Sequence, residues 1–168
     1  GTYILNSKDL CMLRYIPQLA EAGINSVKIE GRMKSVFYVA CVVGAYRKAL
    51  DAYYEDPKGY KFDENWFAEM TKASHREFTT GFYFDKPTNE DQNYQTSAYT
   101  RDYSFTGMVK DYDENTGIAV VEQRNKMVTG DEIEVFGPGM DSFTQILEEM
   151  RDEEDNPVDS APHPQQIL

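Results

Sequence analysis

The chain has 168 residues, a formal net charge of −12 and 40% hydrophobic residues. This length allows one domain or two small ones with a packed core, and no apolar run is long enough to span a bilayer. The first residues lack the basic region and apolar stretch of a signal peptide. Cys11 and Cys41 lie outside any CxxC motif, which argues against a disulfide framework and favours a reducing cytoplasm.

The charge is unevenly spread along the sequence. Residues 1–50 carry seven Lys and Arg against three Asp and Glu, whereas residues 51–168 carry ten against twenty-six. An acidic surface repels a polyanion, so any nucleic acid or phosphate is expected to meet the first third of the chain. The chain also lacks an initiating methionine, and Leu168 lies in a predicted strand. We therefore expect it to be a piece of a longer protein.

Residues 2–23 predict a short strand followed by a broken helix. Residues 2–5 are β-rich, and Ser7 can cap the helix that follows. Proline cannot lie deep in a helix without removing a hydrogen bond. Pro17 should therefore open a second helical segment, which Gly23 closes.

Residues 26–35 predict a strand, a tight turn and a helix start. Val27 and Ile29 alternate with charged residues until Gly31 ends the alternation. In α/β folds, backbone N–H groups and the positive end of the helix dipole face outward at such turns and bind ligands. Four charged residues on this bend can face an anionic ligand: Lys28, Glu30, Arg32 and Lys34. A solvated turn with a basic helix start is an equally good interpretation.

An amphipathic helix of six turns is predicted over residues 34–54. Its apolar positions recur at three- and four-residue steps, at Val36, Val39, Ala40, Val43, Tyr46, Leu50 and Tyr53. Gly44 costs such a helix about 1 kcal/mol relative to alanine, which indicates a close packing contact there. A further helix is predicted to begin at the N-cap Asp63 and to end near Ser74.

The second half of the chain predicts a separate all-β domain. Residues 78–84 are aromatic and β-prone, and the polar residues 86–98 form the best linker, which bounds a first domain at 1–85 and a second at 99–168. Beyond the linker the hydrophobic period changes from 3.6 to 2, with a hairpin loop at Gly117. Five or six short strands predict a small antiparallel barrel.

Hydrolytic motifs are missing from the sequence. It contains neither GxSxG nor HExxH, and its histidines, His75 and His163, fall in different predicted domains. His75 with Arg76 at a helix end is a candidate catalytic or phosphate-facing pair, although a histidine there often only satisfies backbone carbonyls. Cys11 is predicted in a first helical turn, where the helix dipole and Lys8 stabilise a thiolate.

Six segments of the sequence carry recognisable motifs: residues 5–11, 22–35, 74–76 and 79–82 in the first half, and residues 128–138 and 161–166 in the second. The first four resemble the collagenase-like peptidase U32 family, and the last two resemble the C-terminal extension of that family. The resemblance implies an α/β fold in which the first domain is the mostly helical tail of a TIM-like barrel. It also implies that the second domain is a small antiparallel β-barrel similar to domain 2 of elongation factor Tu.

The same resemblance implies two activities. Family members are named peptidases, some of them linked to collagen degradation, whereas related bacterial proteins act in the hydroxylation of tRNA, rRNA or a quinone precursor. The hydroxylation proteins carry an iron–sulfur cluster on four cysteines, of which three lie upstream of this chain's counterpart and the fourth resembles Cys11. This implies that Cys11 is a cluster ligand in the full-length protein. The 168 residues alone would then hold no cluster and be inactive.

Three hypotheses follow. In the first, the full-length protein is a cytoplasmic iron–sulfur enzyme that hydroxylates RNA, with the four charged residues of the bend, His75 and Arg76 near the substrate. In the second, it is a peptidase that acts on collagen-like chains. In the third, the acidic barrel is a non-catalytic module that docks a protein partner or covers the mouth of the active site. A membrane partner is not expected.

Overall fold

The computed structural model divides into two packing units, residues 1–103 and 104–168. It describes residues 6–94 and 103–168. The strand predicted at residues 2–5 and part of the predicted linker lie outside the described residues. None of the described helices has the length and apolar character needed to cross a bilayer.

The first unit consists of three helices and two short strands. The elements are β1 (Asp9–Leu10), a 3₁₀ turn (Leu13–Tyr15), α1 (Ile16–Glu21), α2 (Val36–Glu55), α3 (Glu64–Thr71) and β2 (Phe78–Thr79). β1 and β2 run parallel, with Asp9 opposite Phe78. The unit is therefore mixed α/β and mostly helical, as the sequence predicts.

Capping residues set the helix boundaries. The Ser35 hydroxyl accepts the N–H of Tyr38 at 3.2 Å, and the Asp63 carboxylate accepts the N–H of Asn65 at 2.9 Å. Pro17 lies in the first turn of α1, where its missing N–H costs no hydrogen bond. The predicted N-cap at Asp63 and the break at Pro17 are confirmed, and the helix predicted from Lys34 begins at Val36. The helix predicted after Ser7 is not found, because residues Asp9–Leu10 pair with β2 as a strand.

Helix α2 buries only part of the predicted face: Tyr53 is buried and Tyr46 and Leu50 pack partly buried against the core, as predicted. Val36, Val39 and Val43 are exposed, whereas the buried residues of α2 are Cys41, Val42, Ala45, Ala49 and Tyr53. The helix carries apolar residues around most of its circumference, so periodicity alone did not identify the buried side. The small side chains of Ala45 and Ala49 lie in the core, which also contains Met12, Leu13, Ile16, Leu19 and Met70.

Residues 24–31 form no strand, contrary to the prediction. A strand needs a neighbour for its ladder of hydrogen bonds, and no described segment pairs with these residues. The predicted strand at 78–84 is shortened to Phe78–Thr79 because Gly81 adopts a positive φ of 57° and turns the chain. The first unit therefore carries only one parallel strand pair among its described residues.

The second unit is built from antiparallel strands. They are β3 (Gly107–Asp113), β4 (Ile118–Gln123), β5 (Met127–Val128), β6 (Glu132–Val135), β7 (Phe143–Ile146) and β8 (Ser160–Ala161). β3 pairs with β4, β5 with β8, and β6 with β7. Gly117, with φ 72°, lies in the β3–β4 turn, which confirms the predicted hairpin.

The antiparallel architecture of the second unit is confirmed, but its described strands form three two-stranded ladders and not one closed barrel. Additional backbone hydrogen bonds extend the ladders. Val121 and Leu168 exchange two bonds of 2.9 and 3.0 Å, and Gly130 donates to the carbonyl of Leu147 at 2.8 Å. Met127, Met150 and Ala161 form the small core, beside which Gln123 is buried.

Replacing Gly44 by alanine should stabilise the first unit by about 1 kcal/mol, the cost of glycine in a helix interior. A Cβ at position 44 meets no atom within 4 Å, so the close contact inferred from the sequence is wrong. Urea unfolding of the 168-residue chain measures the change. Gly107→Ala is the contrasting variant, because its Cβ would lie 2.6 Å from Cγ1 of Val121 and should destabilise the second unit. A lower stability of Gly44→Ala would contradict the prediction.

Candidate functional site

β1 is held by backbone partners on both sides. On one side it pairs with β2, and just beyond that pair the N–H of Cys11 donates to the carbonyl of Thr79 at 2.9 Å. On the other side residues 6–8 bond to residues 91–93. Cys11 therefore lies at the carboxyl end of a fixed strand, the position at which parallel α/β sheets bind ligands. We call this end of β1 and β2, residues 11 and 79–82, the carboxyl edge.

The Cys11 thiol is half-buried between α2 and α3. Its sulfur lies 3.9 Å from Sδ of Met70, and the Tyr46 hydroxyl, which accepts the N–H of Met12 at 2.9 Å, is hydrogen-bonded to it. Burial raises the pKa of the thiol, and hydrogen bonds with the Leu13 backbone and with Tyr46 counter part of that rise. The thiol is therefore protonated near neutral pH.

The thiolate environment predicted for Cys11 is not found. Cys11 precedes the 3₁₀ turn and does not lie in a helical first turn. Lys8, expected to stabilise the thiolate, forms an ion pair with Glu77 at 3.0 Å. Because burial dominates, the net effect of the surroundings is to oppose ionisation.

Arg76 ties the end of the α3 region to β1. Its backbone N–H donates to the Asp9 carboxylate at 3.0 Å, and its guanidinium donates to the carbonyl of Ser7 at 3.2 Å. Both contacts brace β1 from outside the strand pair. The structure thus brings this predicted site residue next to the strand that ends at Cys11.

His75 is held in one orientation. Its Nδ1 lies 2.8 Å from the carbonyl oxygen of Ala73, and because a carbonyl only accepts, Nδ1 carries the proton. Its ring stacks on Phe78, with centroids 4.8 Å apart and an interplanar angle of 3°. Nε2 is then the nitrogen that remains to accept a hydrogen bond.

Of the predicted basic bend, Lys34 reaches the same region. Its ammonium donates to the carbonyl of Ser74 at 3.4 Å and lies 5.0 Å from the centre of the Tyr38 ring. Lys34, His75 and Arg76 are therefore brought together. The Glu30 carboxylate instead accepts the N–H of Arg32 and closes the turn locally.

Lys28 and the Arg32 side chain are exposed on the loop. Among the described residues, neither side chain forms an ion pair, and neither is hydrogen-bonded to Cys11 or to residues 74–76. Residues 28–34 thus form a mostly exposed loop that carries basic side chains. The four charged residues of the bend do not all lie beside the Cys11 thiol.

Two residues near the carboxyl edge were missed by sequence reasoning. Tyr46 was assigned to an apolar stripe, although a tyrosine hydroxyl inside a core requires a partner. Phe82, 82% exposed after the Gly81 turn, was read only as part of a motif. The exposure of Phe82 depends on the turn at Gly81, and the β-propensity of residues 78–84 does not predict that turn.

The described residues do not form a metal site by themselves. Within 6–94 and 103–168, no three His, Cys, Asp or Glu side chains come together as metal ligands. Cys41, the second thiol, is buried in α2. These parts of the chain can thus offer one cysteine at the carboxyl edge, whereas an iron–sulfur cluster usually requires four ligands.

Both halves of the chain match models of known protein families. Residues 1–93 match the model of peptidase family U32, and residues 101–168 match the model of the U32 C-terminal domain. The chain belongs to peptidase family U32. This confirms the resemblance found in the sequence.

U32 relatives carry two kinds of name. The chain is 42% identical over 166 residues to tRNA hydroxylation protein P1 of Bacillus subtilis, covering 99% of the chain and 39% of that protein. It is 30% identical over 150 residues to a collagenase of Porphyromonas gingivalis, covering 89% and 42%. The chain thus spans about two fifths of the length of these relatives.

A solved C-terminal domain of a Geobacillus thermoleovorans protein described as a U32 peptidase is 51% identical. The match covers 39% of this chain and 79% of that chain, with a TM-score of 0.38.

Replacing Tyr46 by phenylalanine should raise the pKa of the Cys11 thiol further, because the change removes a hydrogen bond that holds this pKa down. The pH midpoint of iodoacetamide modification at Cys11, followed by peptide mass spectrometry, should move upward. Tyr53→Phe is the matched control, since Tyr53 is buried in the same helix and has no described contact with Cys11. An unchanged or lower midpoint in Tyr46→Phe would contradict the assignment.

Proposed function

We propose that this chain is part of a U32 protein that hydroxylates RNA, with tRNA as the substrate class. One observation carries the proposal: the similarity to tRNA hydroxylation protein P1 extends over 99% of the chain at 42% identity and so includes both packing units. The collagenase match has lower identity and coverage. A tRNA substrate would place the full-length protein in the cytoplasm.

The described side chains give a peptidase little support. A serine or cysteine nucleophile needs a general base within hydrogen-bond reach. The Cys11 sulfur faces Met70 and Tyr46, and Nδ1 of His75 is bonded to a backbone carbonyl. A peptidase that cuts collagen-like chains is therefore the second candidate, supported by the names of relatives such as the collagenase.

We also propose that Cys11 is one ligand of an iron–sulfur cluster in the full-length protein. Its place at the carboxyl edge, half-buried and free of any disulfide, supports this role. Such a cluster would supply redox chemistry for hydroxylation. In that role, the residues of this chain would hold the Cys11 sulfur in place. The bond from the Cys11 N–H to the Thr79 carbonyl fixes the backbone, and the Tyr46 hydroxyl is hydrogen-bonded to the sulfur. The remaining ligands would come from outside the described residues.

RNA would approach the first unit. Residues 103–168 carry four Lys and Arg against fifteen Asp and Glu, a net charge of −11, whereas residues 6–94 carry twelve against thirteen. The second unit therefore repels phosphates and the first does not. Within the first unit we assign substrate contacts to the region of Lys34, His75 and Arg76, with Lys28 and Arg32 on the exposed loop.

For the second unit we propose a barrel-like domain similar to domain 2 of elongation factor Tu that docks a protein partner. The side-chain amide of Gln123 in β4 donates to the carbonyl of Ala161 in β8 at 2.9 Å, and this bond between two ladders supports the barrel. Exposed Ile118 and Ile146 on a strongly acidic unit favour a basic partner with apolar contacts.

Expression of the full-length protein in a B. subtilis strain that lacks tRNA hydroxylation protein P1 tests the activity. We expect tRNA nucleosides that gain one oxygen atom, detected by mass spectrometry, and no gain with an empty vector. Unmodified tRNA, together with gelatin cleavage by the purified protein, would support the peptidase candidate instead.

The ligand role predicts that the full-length protein, purified without oxygen, contains iron and sulfide and that Cys11→Ser lowers both. One lost thiolate removes one of the bonds that hold a cluster. Cys41→Ser is the matched control, because Cys41 is buried in α2 and should leave the iron content unchanged. Equal iron in wild type and Cys11→Ser would remove Cys11 from the site.

A further inference from the structure

Phe82 is an unusually exposed aromatic residue at the carboxyl edge. Its side chain is 82% exposed, although the turn that carries it lies beside the hydrogen bond from Cys11 to Thr79. Phe84, two residues later, packs on Tyr15 with ring centroids 4.7 Å apart. Phe84 is nevertheless 53% exposed, so residues 82–84 present their aromatic rings to solvent, and Phe82 is the most exposed of the three.

The turn that presents Phe82 is built by specific bonds. The Thr79 hydroxyl accepts the N–H of Gly81 at 3.1 Å and donates to the Asp91 carboxylate at 2.5 Å. Gly81 has a positive φ of 57°, and a Cβ there would lie 3.3 Å from Cδ1 of Leu10. The N–H of Tyr83 then closes the turn on the carbonyl of Thr80. The direction of the Phe82 side chain is thus fixed by the turn and by β1.

The pKa of Asp91 agrees with this anchoring. The bond from the Thr79 hydroxyl, followed by that from the Thr88 N–H, lowers the pKa of the Asp91 carboxyl. The charged carboxylate therefore persists at neutral pH as the acceptor that holds Thr79.

We propose that Phe82 is a substrate-binding residue on whose ring a nucleobase of the RNA substrate stacks. The inference rests on the proposed RNA hydroxylation and names a contact within it. Proteins read single-stranded RNA by stacking unpaired bases on aromatic rings. An enzyme that acts on a base must also hold that base outside the helical stack. Phe82 lies on the same edge as Cys11, the thiol assigned to the reactive centre.

The surroundings of Phe82 favour a flat ligand over a protein segment. Beside Phe82 the exposed apolar side chains are Leu10, Tyr83 and Phe84, and this short patch ends at residue 84, because residues 85–90 are polar or proline and exposed. Apolar protein segments bind to contiguous apolar patches. The first unit is close to electrically neutral, so it does not repel a phosphate chain as the second unit does.

Binding of an unmodified tRNA transcript to the full-length protein tests this assignment. Phe82→Ala should weaken binding about tenfold, the size of loss expected for one stacked base, and Phe82→Tyr should retain most of the affinity. Phe143→Ala is the matched control, since Phe143 is 47% exposed on β7 of the acidic unit.

The outcomes separate this inference from the proposed function. Equal tRNA affinity in wild type and Phe82→Ala overturns the stacking role, while hydroxylation of tRNA in cells would still support the function. Loss of affinity together with a lower unfolding temperature in Phe82→Ala but not in Phe82→Tyr also overturns it, because the ring would then be covered by protein. Absence of any tRNA binding by the wild type overturns both. A larger KM for tRNA with unchanged kcat in Phe82→Ala supports the stacking role.

Discussion

The backbone pairing of β1 is the constraint on which the rest of the first unit depends. A two-residue strand is too short to be stable alone, yet β1 bonds to β2 on one side and its preceding residues bond to residues 91–93 on the other. The Asn6 side chain adds a bond to the carbonyl of Asn93 across 87 positions of sequence. These contacts bring together Cys11 and the turn that carries Phe82.

Helix α2 packs against the residues at the carboxyl edge. Its middle supplies Tyr46, which bonds to the Met12 N–H and to the Cys11 sulfur. Just before its start, Lys34 reaches the carbonyl of Ser74. One rigid helix of 20 residues therefore fixes both the surroundings of the thiol and the position of a basic side chain near His75. Small residues on its buried face allow this close packing.

The two packing units differ in chemistry as well as in secondary structure. The first is close to neutral and contains the thiol, the oriented imidazole and the exposed aromatic ring, whereas the second carries most of the negative charge on short antiparallel ladders. An RNA-modifying function needs a surface that does not repel phosphate. Under the proposed function, this difference in charge favours the first unit for contact with RNA.

Local signals in the sequence determined the helix start at Asp63, the break at Pro17 and the hairpin at Gly117, because caps, proline and glycine act over a few residues. The motifs of the sequence determined the U32 family. Only the tertiary structure decided which face of α2 is buried, since that helix is apolar on several sides and its neighbours choose among them. It also decided that residues 24–31 form no strand and that Tyr46 meets Cys11. Both outcomes depend on partners distant in sequence, which no local pattern records.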